Sequence, residues 1–543
     1  MFVSHLKIIM GKILEERSEH YGEANKQFVI DLVNKGENVT PATRKMCKEF
    51  GLEYHETVGR SYRRFMQDAK VTDNLPNNEV DHVFQTAKSK QFDSKKKRFL
   101  ISWAQQETPI HEEFLSNMEA YANHIDAEIL IIAGRYRSPI SLESSKQQEK
   151  KDKDKSNWHP RTVPYLIASR QNIHEHLTVL ADVKVQPTAS VPLSGFNSIT
   201  GLESCIIGHP RVHLKSLPVL DSYPNKLLWT TGAVTVENYS DTKAGKKGSF
   251  HHTLGMLVVE LDEDIFHVRQ VQCEDDGSFY DLTNYVANGV ASEYIYGCPA
   301  IIFGDLHLGN EHQENLKQSL QMAQDFDCDK IILHDVMENY AISHHELKNP
   351  VVLAQRELDG TWNLESEIDY MVKWFQKNSQ FKFVSVMSNH TAFIDRWILN
   401  NDWRKSPNKA KYLQLANIVV SGEAPKGLVP YILDKETENV TSLSYNDSYR
   451  ICGWELGLHG DMGNAGSRGS VTQFKNLNTK TITGHSHSPS REDGALVVGT
   501  LTKMRLGYNI GLSSWLASNV LIYPNGKASH IHIINNKYTT LLD

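Results

Sequence analysis

Asp305 and His307 stand two residues apart at the end of an apolar run, Ile301-Ile302-Phe303-Gly304. In an extended chain residues i and i+2 point to the same side, so this carboxylate and this imidazole can face one point in space. Such a pair is a natural start to a metal site. The arrangement returns four more times. KIILHD ends in His334-Asp335, FKFVSVM in Ser388-Asn389-His390, CGWELGLHGD in His459-Gly460-Asp461, and TKTITGHSHS in Gly484-His485-Ser486-His487. One Gly-Asp turn with an incidental histidine says little. Five apolar segments, each ending in a group able to bind a metal, say that several strand ends converge, as they do where open α/β sheets build their sites.

The segments between them have the period of helices. ENLKQSLQMAQDFD and EIDYMVKWFQKN repeat apolar residues at intervals of three and four. Strand, helix, strand is the unit of an α/β fold, and residues 298–543 are expected to form one such domain.

Taken in order, these motifs resemble the signature of the calcineurin-like metallophosphoesterases: DxH, GD, GNH, a single H, and GHxH. The resemblance covers roughly residues 298–543. It implies two packed β-sheets flanked by helices, with two divalent metal ions at the strand ends. Carried over residue by residue, Asp305, His307 and His487 would hold one metal and Asn389, His459 and His485 the other, with Asp335 bridging both. Cations so bridged stand about 3.5–4 Å apart and clamp the attacking and leaving oxygens of a phosphoryl centre. The resemblance makes a metal-bridging hydroxide the nucleophile and His390 the catalytic group that stabilises or protonates the leaving oxygen. Imidazole and oxygen donors suit Mn, Fe or Zn better than Ca, and manganese is expected.

The late position of the motifs and the segment HGDMGNAGSRG also resemble the pre-early host-DNA-degrading nucleases of T-five-like phages. That implies manganese-dependent hydrolysis of DNA phosphodiester bonds in the host cytoplasm early in infection. Two other readings stay open: a phosphomonoesterase or nucleotide phosphatase using the same metals, and a DNA-binding regulator with an inactive hydrolase domain.

This chain departs from the family pattern at three places. His334 stands where Gly is usual, and Ser388 replaces the Gly before Asn389. Thr391 replaces the acidic residue that often follows the histidine and orients it, a role Asp395 is expected to take. None of these changes removes a proposed ligand. Among nearby polar groups, His344, His345, Asn464, Arg468 and Arg505 are candidates to meet substrate; Arg468 leads them because it lies in a Gly-rich run just after His459.

The rest of the chain must position or serve this region. At 543 residues it is too long for one core. Residues 1–80 read as helical. A helix from Asn38 or Thr40 to Phe50, a stop at Gly51 and a second helix bearing Arg60, Arg63 and Arg64 outline a possible helix-turn-helix. Those three arginines share a face able to meet phosphates, although a solvated basic face is the commoner meaning of that pattern. Residues 81–97 read as a linker. In 98–290, RFLISWA, a helix and AEILIIAG form a βαβ unit, and the later strands are expected to complete one middle α/β domain with it. The charge-rich stretch 145–157 reads as a surface loop or a disordered excursion, and His209, His251 and His252 as structural or surface imidazoles.

The net charge of -7 argues against a surface that binds nucleic acid indiscriminately, yet leaves room for a local basic groove or a metal-centred site. Six scattered cysteines without a CxxC are expected to be reduced thiols in a cytoplasmic protein. No apolar run reaches the length of a membrane span. The expected partner is DNA, without a membrane; the apolar strands of the middle region would suit a homo-oligomer.

Overall fold

The protein is described from a computed structural model, which covers residues 20–35, 39–55, 58–59, 61–62, 81–136, 158–293, 297–343, 349–477, 479–506 and 509–542. Its contacts divide the chain into two units, Met1–His82 and Val83–Asp543. In the first, helices Glu23–Asn34 and Val39–Glu49 bury Val29, Ala42, Met46 and Cys47 against Val58 and Tyr62. Gly51, at a φ of 66° that favours glycine, ends the second helix. Arg60, Arg63 and Arg64 of the expected basic face lie outside the described residues.

The second unit is mixed α/β. Strands Arg98–Gln105 and Ala127–Gly134 pair in parallel, joined by helix Glu112–His124. Both strands are buried along most of their length and mainly apolar because both faces are covered. Gly134 is required where it stands: a Cβ there would lie 2.2 Å from the Trp103 indole. Antiparallel strands Gly255–Asp262 and Ile265–Gln272 extend this sheet on one side, and the short strand Leu166–Ile167 extends it on the other.

Two larger sheets carry the motif region. A six-stranded sheet runs Val440–Ser442, Phe383–Ser385, Ile331–Leu333, Ala300–Ile302, Ser518–Ile522, Ala528–His532. The first four of these strands are parallel. A ten-stranded sheet includes Trp454–Glu455, Lys480–Thr483, Ala495–Val497 and Ser490–Glu492. The two sheets share one apolar layer, with Ile302, Ile332, Val384 and Val520 from one and Leu456, Ile482 and Leu496 from the other or its strand ends. Each such side chain contributes about 1.5–3 kcal/mol of burial. On the outer face of the six-stranded sheet lie helices Gln313–Asp325 and Leu364–Lys377. The latter buries Leu364, Ile368, Met371 and Phe375, one stripe of its surface, and is capped by Asn363.

Two expectations meet a different arrangement. The ten-stranded sheet crosses the expected boundary between 98–290 and 298–543: Ser490–Glu492 pairs with His213–Leu217, Arg491 opposite Leu214. The strands within residues 171–230 therefore complete a sheet with the C-terminal strands. The expected linker 81–97 carries helix Asp81–Ser89, because Phe84 and Ala87 share a buried face and Phe84 stacks on Trp158. All six cysteines are free. Among the described residues no helix is long and apolar enough to cross a membrane.

Candidate metal centre

Five chain segments bring their polar ends together beside these two sheets. Three follow strands of the six-stranded sheet, Ala300–Ile302 before Asp305, Ile331–Leu333 before Asp335 and Phe383–Ser385 before Asn389. Two follow strands of the other, Trp454–Glu455 before His459 and Lys480–Thr483 before His485. At the turns the backbone is left-handed at His307 (φ 46°), Asp335 (47°), His485 (73°) and His487 (59°). Non-glycine residues hold such angles only where their surroundings demand it, and such outliers gather at functional sites.

Asp305, His307, Asp335 and His487 are all buried, and each offers one ligand atom within 4.8 Å of the others. His307 Nε2 is 3.2 Å from His487 Nε2 and 3.3 Å from Asp335 Oδ2. His487 Nε2 is 3.1 Å from Asp305 Oδ2. Two imidazole nitrogens this close cannot both donate, so the point between them calls for a shared proton or a cation. Asp335 Oδ2 also lies 3.3 Å from His459 Nε2, which places this carboxylate between the first group and a second. In that second group His485 Nδ1 meets Asn389 Oδ1 at 3.1 Å, and the rings of His459 and His485 stand edge to face at 5.3 Å. The backbone N–H of His485 donates to Asp305 Oδ2 at 2.7 Å and so fixes one group against the other.

The electrostatics are those of a site built around positive charge. Burial alone would push the carboxyls of Asp305 and Asp335 up, but the surrounding imidazoles hold both below the usual range. Burial would likewise push His459 down, yet Asp335 and Asp305 raise it to about 9. Among the described residues, Asp305 Oδ1, Asp335 Oδ1, both ring nitrogens of His459 and His487 Nδ1 are buried without a hydrogen-bond partner. Buried polar atoms are rarely left so. Carboxylate oxygens and imidazole nitrogens in this state are the donor set of a transition-metal ion, and these residues could hold metal ions.

Glu338 was not among the residues singled out from the sequence. Its Oε2 accepts from His307 Nδ1 at 2.6 Å. That bond fixes the tautomer and leaves His307 Nε2 free for a metal. His390 Nδ1 meets the Glu338 carbonyl at 3.2 Å and its carboxylate at 3.8 Å, while the His390 ring stacks on Phe393. With Nδ1 so engaged, Nε2 is the nitrogen left to meet a ligand. The role expected of Asp395 thus falls to Glu338: Asp395 Oδ1 instead accepts the Leu428 N–H at 3.0 Å. Ser388 and Thr391 bond to each other through their hydroxyls at 2.8 Å and close the turn that bears Asn389 and His390. His334 is buried against the His459 ring with no hydrogen-bond partner on either nitrogen, and burial, helped by His459, lowers it to about 4, so it stays neutral.

Arg468 is exposed and lines a pocket of about 280 Å³ together with Gly484, His485 and Ser486. Asn464 is exposed in the turn Asn464–Gly466. Arg505 is engaged elsewhere, with Asp221 at 2.7 Å. His344 and His345 lie outside the described residues. Away from the centre, His209 bonds the Gln186 carbonyl and His252 the Tyr239 hydroxyl, while His251 stands 3.5 Å from Asp493.

Fold and site together define a mixed α/β protein with a buried carboxylate–imidazole cluster of metal-binding character. Its sequence is similar to that of Protein A1 of Escherichia phage T5, with 29% identity over 471 residues, spanning 81% of this chain and 83% of that one. No family model matches the chain.

Proposed function

We propose that this protein is a metal-dependent phosphodiesterase that hydrolyses DNA, with the layout of a calcineurin-like metallophosphoesterase in residues 298–543. One observation carries the reading: four buried ligand atoms from Asp305, His307, Asp335 and His487 within 4.8 Å of one another, with unpaired donors beside them. Asp305, His307 and His487 would hold one cation, Asn389, His459 and His485 a second, and Asp335 both. Bound divalent cations would supply Lewis-acid charge against the phosphoryl oxygens. The chain's own groups do the rest. Glu338 holds His307 and His390 in their tautomers. His390, backed by Phe393, keeps its Nδ1–H on the Glu338 carbonyl and, once its ring has taken up a second proton, presents Nε2–H to the leaving oxygen. Arg468, in the pocket with His485, meets a substrate phosphate as a planar donor. The similarity to a phage protein fits a part in phage infection, and a donor set of imidazoles and carboxylates suits manganese.

The test is cleavage of closed circular DNA by chelator-treated protein, then with Mn, Mg, Zn or Ca restored. Metal-restored cutting that falls at least a thousandfold in Asp335→Ala is the expected outcome. Intact circles alongside phosphate release from mononucleotides would make the protein a phosphatase. DNA binding that needs no metal, without hydrolysis of either substrate, would make it a regulator.

A further inference from the structure

Helix Lys243–Phe250 is pressed onto the protein by its glycines. Gly245 and Gly248 are buried, and a Cβ on Gly245 would lie 1.8 Å from the Ser240 carbonyl oxygen. Ala244 is exposed, and so are Lys243, Lys246, Lys247 and Phe250, which are spaced as one side of a helix. Phe250 is 83% exposed. Its ring meets that of the neighbouring His251 edge to face at 4.9 Å, and most of it stays open to solvent.

This helix borders a cleft of about 1410 Å³, lined among others by Lys247, Phe250, Lys475, Lys480 and Lys527. The cleft also holds carboxylates, but three of them are already engaged. Asp493 lies 3.2 Å from Arg211 and 3.3 Å from Lys475, Glu492 3.4 Å from Lys475, and Glu274 3.6 Å from Lys527. Lys247 and Lys480 have no carboxylate at ion-pair distance among the described residues. Arg491, buried beneath them, spends its donors on two carbonyls and the Gln272 side chain. Burial lowers the Lys480 ammonium's pKa first, and the neighbouring cations Lys527 and Arg491 add to it against the pull of Glu274. A short helix stands between the cleft and the pocket beside the metal centre. Val471 and Phe474 of helix Val471–Lys475 line the pocket that holds His485 and Arg468, and Thr472 and Lys475 of the same short helix line the cleft.

We propose that this cleft is a track for an unpaired stretch of DNA strand, with Lys247 and Lys480 on its phosphates and Phe250 stacked on a base. The proposal rests on the reading of the metal centre as a DNA hydrolase. Lysines and an open aromatic ring are the chemistry that holds single strands without regard to sequence. An aromatic face reaches a base only where that base is unpaired, so duplex DNA gains nothing from Phe250. A strand lying in the cleft passes over helix Val471–Lys475 to reach Arg468 and His485.

The experiment measures binding of a fluorescent thymidine 20-mer and of a 20-base-pair duplex to the full chain in chelator, by anisotropy across salt concentrations. The proteins compared are wild type, Phe250→Ala and a Lys247→Glu/Lys480→Glu double variant, each checked for an unchanged melting temperature. Phe250→Ala is expected to weaken single-strand binding about tenfold while leaving duplex binding unchanged. The double variant is expected to weaken single-strand binding by more than tenfold and to flatten its salt dependence by roughly 0.7 per lost phosphate contact. Wild-type single-strand affinity in both variants overturns the proposal, as does equal loss on duplex after Phe250→Ala, or no single-strand binding by wild type. Manganese-restored hydrolysis of bis(p-nitrophenyl) phosphate by the wild type is measured alongside. If it is present, failure of the track leaves the metal-centre reading standing; if it is absent, that reading has failed as well.

Discussion

Glu338 touches both histidines on which the proposed chemistry turns, His307 at 2.6 Å and His390 through its carbonyl. Glu338→Gln keeps the size and removes the charge that holds the His307 tautomer. Turnover on DNA or affinity for manganese is expected to fall about 10–100-fold, read from metal titrations of the cleavage rate. A purely structural role would lower the melting temperature and leave the titration midpoint in place. The proposed ligands were legible in the sequence because each follows an apolar run that stops abruptly. Glu338 was not, being one of 65 acidic residues with no such run of its own. The signal that could have found it is its place three residues after Asp335, on the turn leaving the same strand. Asp395 misled for the opposite reason: it is near His390 in sequence, but its helix turns it toward Leu428.

At the level of elements, the site depends on how closely two turns approach. A Cβ on Gly484 would lie 2.1 Å from Asp305 Oδ1 and 3.1 Å from the His334 Cβ. The obstacle includes buried side chains that cannot swing away, so Gly484→Ala is expected to displace Asp305. The apparent manganese affinity should drop by at least tenfold, measured by calorimetric titration, with far-ultraviolet circular dichroism unchanged. The strands themselves could be read from their apolar runs and polar stops. Their partners could not: a short apolar run does not declare which sheet it joins, and nothing local in His213–Leu217 points to Ser490–Glu492. Helix Asp81–Ser89 was hidden by composition, since Phe84 and Ala87 are too few to outweigh the polar residues around them.

Across the whole molecule, Arg269 is buried between Glu260 and Asp281, and Glu260 also accepts from Thr539 and Thr540. Burial alone would push the Glu260 carboxyl up; Arg269 and the Thr540 bonds outweigh it and hold it near about 2, against 4.5 for an ordinary glutamate. A lowered carboxyl stabilises the fold fully above the unfolded value and loses that contribution as pH falls toward the folded one. The melting temperature is therefore expected to fall between pH 4.5 and pH 2. Glu260→Gln should flatten that fall, while costing about 3–5 kcal/mol at neutral pH by leaving Arg269 short of a partner; melts from pH 2 to pH 7 check both. The shared ten-stranded sheet has a further consequence, in the order of synthesis. His307 and His487 are separated by 180 residues, and the strand that joins His213–Leu217 follows His487. At about 5–20 residues per second on the ribosome, on the order of 10–40 s pass between the emergence of the first proposed ligands and the last. On the proposed reading, a nascent chain carrying Asp305 and His307 is silent toward any nucleic acid around it until His487 has been made.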